Sequence, residues 1–129
     1  MLQVYMASKL HHFRRWRALR AQWSNLHFTA RWPDMDVSTV PGTPEEARKH
    51  WIEDEEDVRA ADAVLVYAED GEHLRGALVE AGMAIALRKT VVVVGTHPDF
   101  GTWQHHPRVI QARDLEEARQ RLEELSLRG

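Results

Sequence analysis

The stretch Arg75–Gly95, RGALVEAGMAIALRKTVVVVG, decides the fold. From Ala77 to Leu87 it reads as one helix in which every residue except Glu80 is apolar or glycine. A helix apolar on all sides belongs in an interior. Arg88, Lys89 and Thr90 then turn the chain into Val91–Val94, a β-branched run of the kind that forms a central parallel strand. One carboxylate, Glu80, thus falls in the first turns of a buried helix, near the end of a parallel sheet where such folds bind ligands. Burying an ionised group without a partner is expensive. Catalysis is the reading that best accounts for an acid in that position.

On either side of this stretch, strand and helix alternate, which predicts a parallel sheet covered on both faces. Leu2–Met6 reads as a first strand ending at Ala7-Ser8. His11–Trp23 reads as a helix whose apolar face is marked by Phe13, Trp16, Leu19 or Arg20, and Trp23. His27–Arg31 is a second strand, followed by an irregular stretch, Trp32–Thr43, with two prolines and a Pro41-Gly42 turn. Thr43-Pro44-Glu45-Glu46 starts a helix, with Thr43 as N-cap and proline at the first helical position, running to Ala60 or Ala61. Ala63–Tyr67 is the third strand, and Ala68–Leu74 a short loop into the Arg75–Gly95 stretch. Beyond it lie a loop over Thr96–Pro107, a last strand over Arg108–Gln111, and a helix capped by Asp114 that reaches about Leu125. The pattern predicts an α/β chain: a flavodoxin-like, doubly wound, five-stranded parallel sheet with five helices, folded as a single domain over residues 1–129.

Composition narrows the function. At 129 residues the chain is long enough to bury a core of its own. Its 17 basic and 20 acidic side chains give a net charge of −3, which argues against a nucleic-acid partner. The absence of cysteine excludes disulfides, thiol catalysis and cysteine-ligated zinc. Met1 leads directly into a strand and no apolar run is long enough to span a bilayer, so a soluble, cytoplasmic protein without a membrane partner is expected.

In a doubly wound sheet the loops leaving the carboxyl ends of the strands build the site. Here these are residues 5–9, 31–43, 68–75 and 96–107. Glu80 lies just inside the helix after the third of them, where the helix N-terminus favours its ionised form. A glutamate of ordinary pKa, about 4.3, is ionised at neutral pH and, held dry, can attack as a nucleophile. A sugar anomeric carbon suits such an attack, through a covalent glycosyl-enzyme with retention of configuration. A second acid must then help the leaving group depart.

The segments VYMAS (Val4–Ser8), WIEDEEDVRAADAVLVY (Trp51–Tyr67) and RGALVEAGMAIALRKTVVVVG together resemble the nucleoside 2-deoxyribosyltransferase family, which includes the deoxynucleoside 5′-monophosphate N-glycosidases. The likeness runs over Leu2–Gly95 and is most specific at ADAVLVY and the ALVEAGMAIA helix. It implies a small homodimer or higher homo-oligomer that cleaves an N-glycosidic bond and passes the sugar to water or to another base, without a cofactor. It further implies Glu80 as nucleophile, Tyr5 as the residue that orients it, and Asp54 as the acid near the base. Asp57, one turn away, is the alternative match, whereas Asp62 at the start of the third strand reads as structural. The residues expected to meet a nucleoside or nucleotide are Ser8, Lys9, Trp32, His73, Arg75 and Gly76.

The chain also departs from the family pattern. Six residues before the nucleophile, where the transferases carry aspartate and the glycosidases serine, stands Leu74. In place of the glycosidases' Ser-x-Arg-Gly-Gly phosphate loop stands Ser8-Lys9-Leu10-His11-His12. Nucleoside against nucleotide, and transferase against hydrolase, therefore stay open. His73, His97, His105 and His106 show no recognised metal spacing, so no metal is expected. Trp51 and Trp103, like Trp32, fall near loop mouths, while Trp16 and Trp23 read as core or oligomer contacts. Two competing readings are a catalytically inactive nucleotide-binding or signalling module and an NAD-cleaving domain of the Toll/interleukin receptor-like kind. The glycine-poor phosphate region and the ALVEAGMAIA helix favour the glycosidase over the latter.

Overall fold

A computed structural model of the chain describes residues 1–35, 42–95 and 100–128. The Pro41 half of the Pro41-Gly42 turn, and His97, lie outside the described residues. Five parallel strands form one sheet in the order β2-β1-β3-β4-β5: β1 Leu2–Ala7, β2 Leu26–Phe28, β3 Ala63–Tyr67, β4 Thr90–Val94 and β5 Val109–Ala112. Among the described residues there are four α-helices rather than five: α1 Phe13–Gln22, α2 Pro44–Ala60, α3 Gly76–Ala86 and α4 Leu115–Arg128. Three short 3-10 turns, at Leu10–His12, Trp32–Asp34 and Thr102–His105, supply the remaining helical geometry. Among the described residues, the β4–β5 connection contains only the last of these turns.

The valine run behaves as its chemistry demands. Val91, Val92 and Val93 are fully buried and paired with Val64, Leu65 and Val66 of β3. Each such buried side chain contributes about 1.5–3 kcal/mol relative to leaving it in water. β1 supplies Val4, Tyr5, Met6 and Ala7 to the same core, in register with Ala63–Val66. Trp16 and Trp23 are buried and belong to this core. Asp62 is structural, as expected: its Oδ2 accepts from the Gln3 N–H at 2.9 Å, and its own N–H donates to Gln3 C=O at 2.8 Å.

Local signals set the helix ends. Thr43 accepts from the Glu46 N–H at 3.2 Å and Asp114 from the Glu117 N–H at 2.8 Å, which are N-caps of the expected kind. α3 ends in a Schellman pairing, with Arg88 N–H on Ile85 C=O and Lys89 N–H on Ala84 C=O. The left-handed position of that motif is held by Arg88, at φ 61°, where glycine is the usual occupant.

α3 departs from the all-buried helix expected of it. Ala77, Glu80, Ala81 and Ala84 face β1, β3 and β4, but Val79 is 52% exposed and Gly82 and Ala86 also face outward. The reason lies in its position as an outer layer. It covers the sheet on one side and meets α2 on its flank, and among the described residues its outer face at Val79, Gly82 and Ala86 stays exposed.

Candidate functional site

The site forms where β1, α2 and α3 converge. Tyr5 lies in mid-β1 with no solvent exposure, and its hydroxyl donates to Oε2 of Glu80, one turn into α3. Glu80 is itself 6% exposed, enclosed by the same alanine-rich face that packs on the sheet. α2 brings Asp54 up to this pair, partly buried and close enough to act electrostatically on both. Residues separated by 75 positions in sequence are thus joined, because β1 lies beside β3 and α3 crosses over both.

Burial overturns one expectation. An ionised Glu80 follows from its place near a helix N-terminus, but loss of solvent pushes its pKa to about 8, with Asp54's charge adding to the rise and the Tyr5 hydrogen bond opposing it. Desolvation exceeds the helix-end effect because the latter is limited to about 0.3–2 kcal/mol, while a buried carboxyl can shift by several pH units. Asp54 is pushed to about 6 by burial and by the neighbouring Asp57, opposed by His50 and by a hydrogen bond from Tyr5. Tyr5 is held well above its ordinary value by burial and by the Glu80 and Asp54 charges, so its phenol stays protonated and donates.

Arg31 sets the surroundings of Asp57 apart from those of Asp54. Asp57 accepts from the Arg31 backbone N–H at 2.9 Å and from its Nε at 2.9 Å, an anchor tying α2 to the chain after β2. Asp54 is the carboxyl left beside Tyr5 and Glu80. Sequence alone offered no way to see this, since Arg31 carries no motif.

The expected substrate-contacting residues are not all gathered. Ser8 Oγ accepts from the Trp16 indole N–H at 2.8 Å and donates to Lys9 C=O at 3.0 Å, so its hydroxyl is engaged within the fold. Lys9 is half-buried at the start of the Leu10–His12 turn. Trp32 is buried, with its indole N–H on Met6 C=O at 2.8 Å, which makes it a core residue rather than a ring free to stack on a base. His73 and Arg75 are exposed on the loop into α3, and Gly76 opens that helix against the ring of Trp51. A Cβ on Gly76 would stand 3.4 Å from the Trp51 ring, at ordinary contact distance. Leu74 is buried. His105 and His106 make loop contacts, to Gln111 and to the Arg108 N–H.

A second polar cluster went unnoticed in the sequence. His11 and His12, after β1, meet Glu72, after β3, across the β1–β3 boundary. The signal was present in retrospect: a His-His pair and an acidic loop that leave the same end of adjacent strands.

This architecture is a flavodoxin-like α/β fold, and solved structures share it. It is similar to a 2-deoxyribosyltransferase from the psychrotolerant bacterium Bacillus psychrosaccharolyticus, with a TM-score of 0.68 at 15% identity over 91% of this chain and 90% of that one. It is likewise similar to the CMP N-glycosidase of Clostridium botulinum, with a TM-score of 0.58 at 16% identity over 94% of this chain and 98% of that one. No protein-family model matches the sequence, and no curated protein matches it. At these identities the likeness establishes the shared fold.

Proposed function

We propose that the protein cleaves the N-glycosidic bond of a (deoxy)nucleoside or its 5′-monophosphate, passing the sugar to water or to another base. The observation that carries this reading is the buried Tyr5–Glu80 hydrogen bond with Asp54 alongside. A titratable pair with separated, raised pKa values beneath an anomeric carbon is what acid–base chemistry of this kind needs. The fold shared with a 2-deoxyribosyltransferase and a CMP N-glycosidase supports it by analogy.

In this mechanism the Glu80 carboxylate attacks C1′ as the C1′–N bond breaks, and the bonding pair leaves with the base. Asp54 gives that base its proton. The same Asp54, now ionised, takes a proton from water or from an incoming base as the glycosyl-glutamate ester is opened. Tyr5 donates to the Glu80 oxygen that is not attacking and so fixes the other one.

The free site holds its proton on Glu80 rather than Asp54, since about 8 lies above about 6. Moving it to Asp54 costs on the order of 3 kcal/mol. Positive charge developing on the sugar favours ionised Glu80 and offsets this in the transition state. Ser8, Lys9, His73 and Arg75, on the loops around the site, and Gly76, at the start of α3, are the groups assigned to the rest of the substrate.

The same reading makes the protein a homodimer or larger oligomer. Between α2 and α3 lies an open groove of about 350 Å³ lined by Arg48, Trp51, Ile52, Glu55, Val79 and Met83. Along α2, Arg48 and Glu55 flank the apolar Trp51–Ile52 pair. Two copies related by a two-fold axis would therefore set each Arg48 opposite the other copy's Glu55.

Free base released from a panel of deoxynucleosides, ribonucleosides, their 5′-monophosphates and NAD, lost in Glu80→Gln, tests the activity. No release from any of them by the wild-type protein would overturn it. Sedimentation of wild type against Ile52→Lys tests the pairing, which predicts a shift to monomer.

A further inference from the structure

The cluster formed by His11, His12 and Glu72 has the composition and spacing of a metal site. His11 Nε2 stands 3.0 Å from Glu72 Oε2, and His12 Nε2 stands 3.0 Å from both oxygens of the same carboxylate. One ligand atom from each of the three lies within 4.8 Å of the others. Donors about 2.0–2.2 Å from a tetrahedral zinc sit roughly 3.3–3.5 Å apart, so a small adjustment admits an ion among them.

The surroundings point the same way. His12 is 6% exposed, and its other ring nitrogen, Nδ1, lies 3.4 Å from Glu69 Oε1. Glu69 is in turn paired with Arg15. Glu72 is fixed by the Glu69 backbone N–H at 2.7 Å. A carboxylate behind the buried histidine is the outer partner that metal-bound imidazoles usually have. A cation between the His12 Nε2 and the Glu72 carboxylate would be met by both, with Glu69 behind the ring at Nδ1. Two imidazoles and one carboxylate suit zinc and its late first-row neighbours, not magnesium or calcium.

We infer that His11, His12 and Glu72 form a binding site for one divalent transition-metal ion, zinc above all, bridging the loops after β1 and β3. The stretch after β1, where the glycosidases of the family this chain resembles carry a phosphate loop, here holds a pair of imidazoles. Three protein donors leave a fourth position of a tetrahedral ion on the exposed His11 side. The site does not depend on the glycosidase reading.

The test is calorimetric titration of tag-free protein with ZnCl₂, alongside cobalt(II) absorption. One ion should bind per chain, with visible cobalt bands, and a tenfold excess of magnesium should not compete. Glu72→Gln and His11→Gln should each remove the cobalt bands. Glu69→Gln should weaken zinc 10–100-fold, the size of a lost outer partner. His27→Gln, an exposed histidine elsewhere, should bind as the wild type. His11 is two-thirds exposed, so its variant should keep the circular dichroism of the parent and a loss of binding reports the ligand itself. Absence of binding to the wild type, or equal binding by folded His11→Gln and Glu72→Gln, would overturn the assignment.

Discussion

Replacing Glu80 by glutamine should make the protein more stable while removing its activity, and the gain should depend on pH. A glutamate takes its ordinary pKa of 4.5 in the unfolded chain, whereas burial raises it to about 8 in the fold. Between those values the native state binds the proton that the unfolded state has lost. Stability therefore falls as pH rises, beginning near 4.5 and levelling off above about 8. The full loss, at about 1.4 kcal/mol per pH unit, is on the order of 5 kcal/mol. Glutamine keeps the shape and still accepts from Tyr5, but has no proton to lose. Urea unfolding followed by tryptophan fluorescence reads this well, because Trp16, Trp23 and Trp32 are buried. The two proteins should have similar stability near pH 5, and the variant should lead by several kcal/mol at pH 9. A difference that stays constant from pH 5 to 9 would refute a buried, protonated Glu80 and with it the desolvated nucleophile.

Tyr5→Phe removes the hydrogen bond that holds the Glu80 pKa down, so the upper limb of the base-release profile, near 8, should move to higher pH and turnover should fall. The wild-type profile should be a bell with limbs near 6 and 8, belonging to the Asp54–Glu80 pair as a unit. Asp54→Asn should abolish the alkaline limb and slow release about 10²–10⁴-fold; a variant with unchanged rate would remove Asp54 from the chemistry. Asp57→Ala leaves the half-buried Arg31 N–H without its acceptor and should cost about 1 kcal/mol of stability, with the shape of the pH profile retained. Arg88→Gly relieves a left-handed backbone at φ 61° and should raise stability by about 1 kcal/mol in the same urea assay.

The sequence by itself determined the elements and most of the topology. A β-branched run such as Val91–Val94, the Thr43 and Asp114 caps, and the alternation of strand and helix up to β4 are local signals, and local physics fixes them. It also singled out Glu80, because a lone charge in an apolar helix is conspicuous without coordinates. Only the tertiary structure decided the acid's protonation, since desolvation depends on what α2, α3 and β1 enclose together and outweighs the helix-end effect that sequence position suggests. Only packing could separate Asp54 from Asp57, through an arginine 26 residues away from the latter, and only packing could retire Trp32 to the core and expose Val79. The His11–His12–Glu72 cluster makes the same point: 60 residues separate His12 from Glu72, and side-by-side pairing of β1 with β3 brings them within one hydrogen bond.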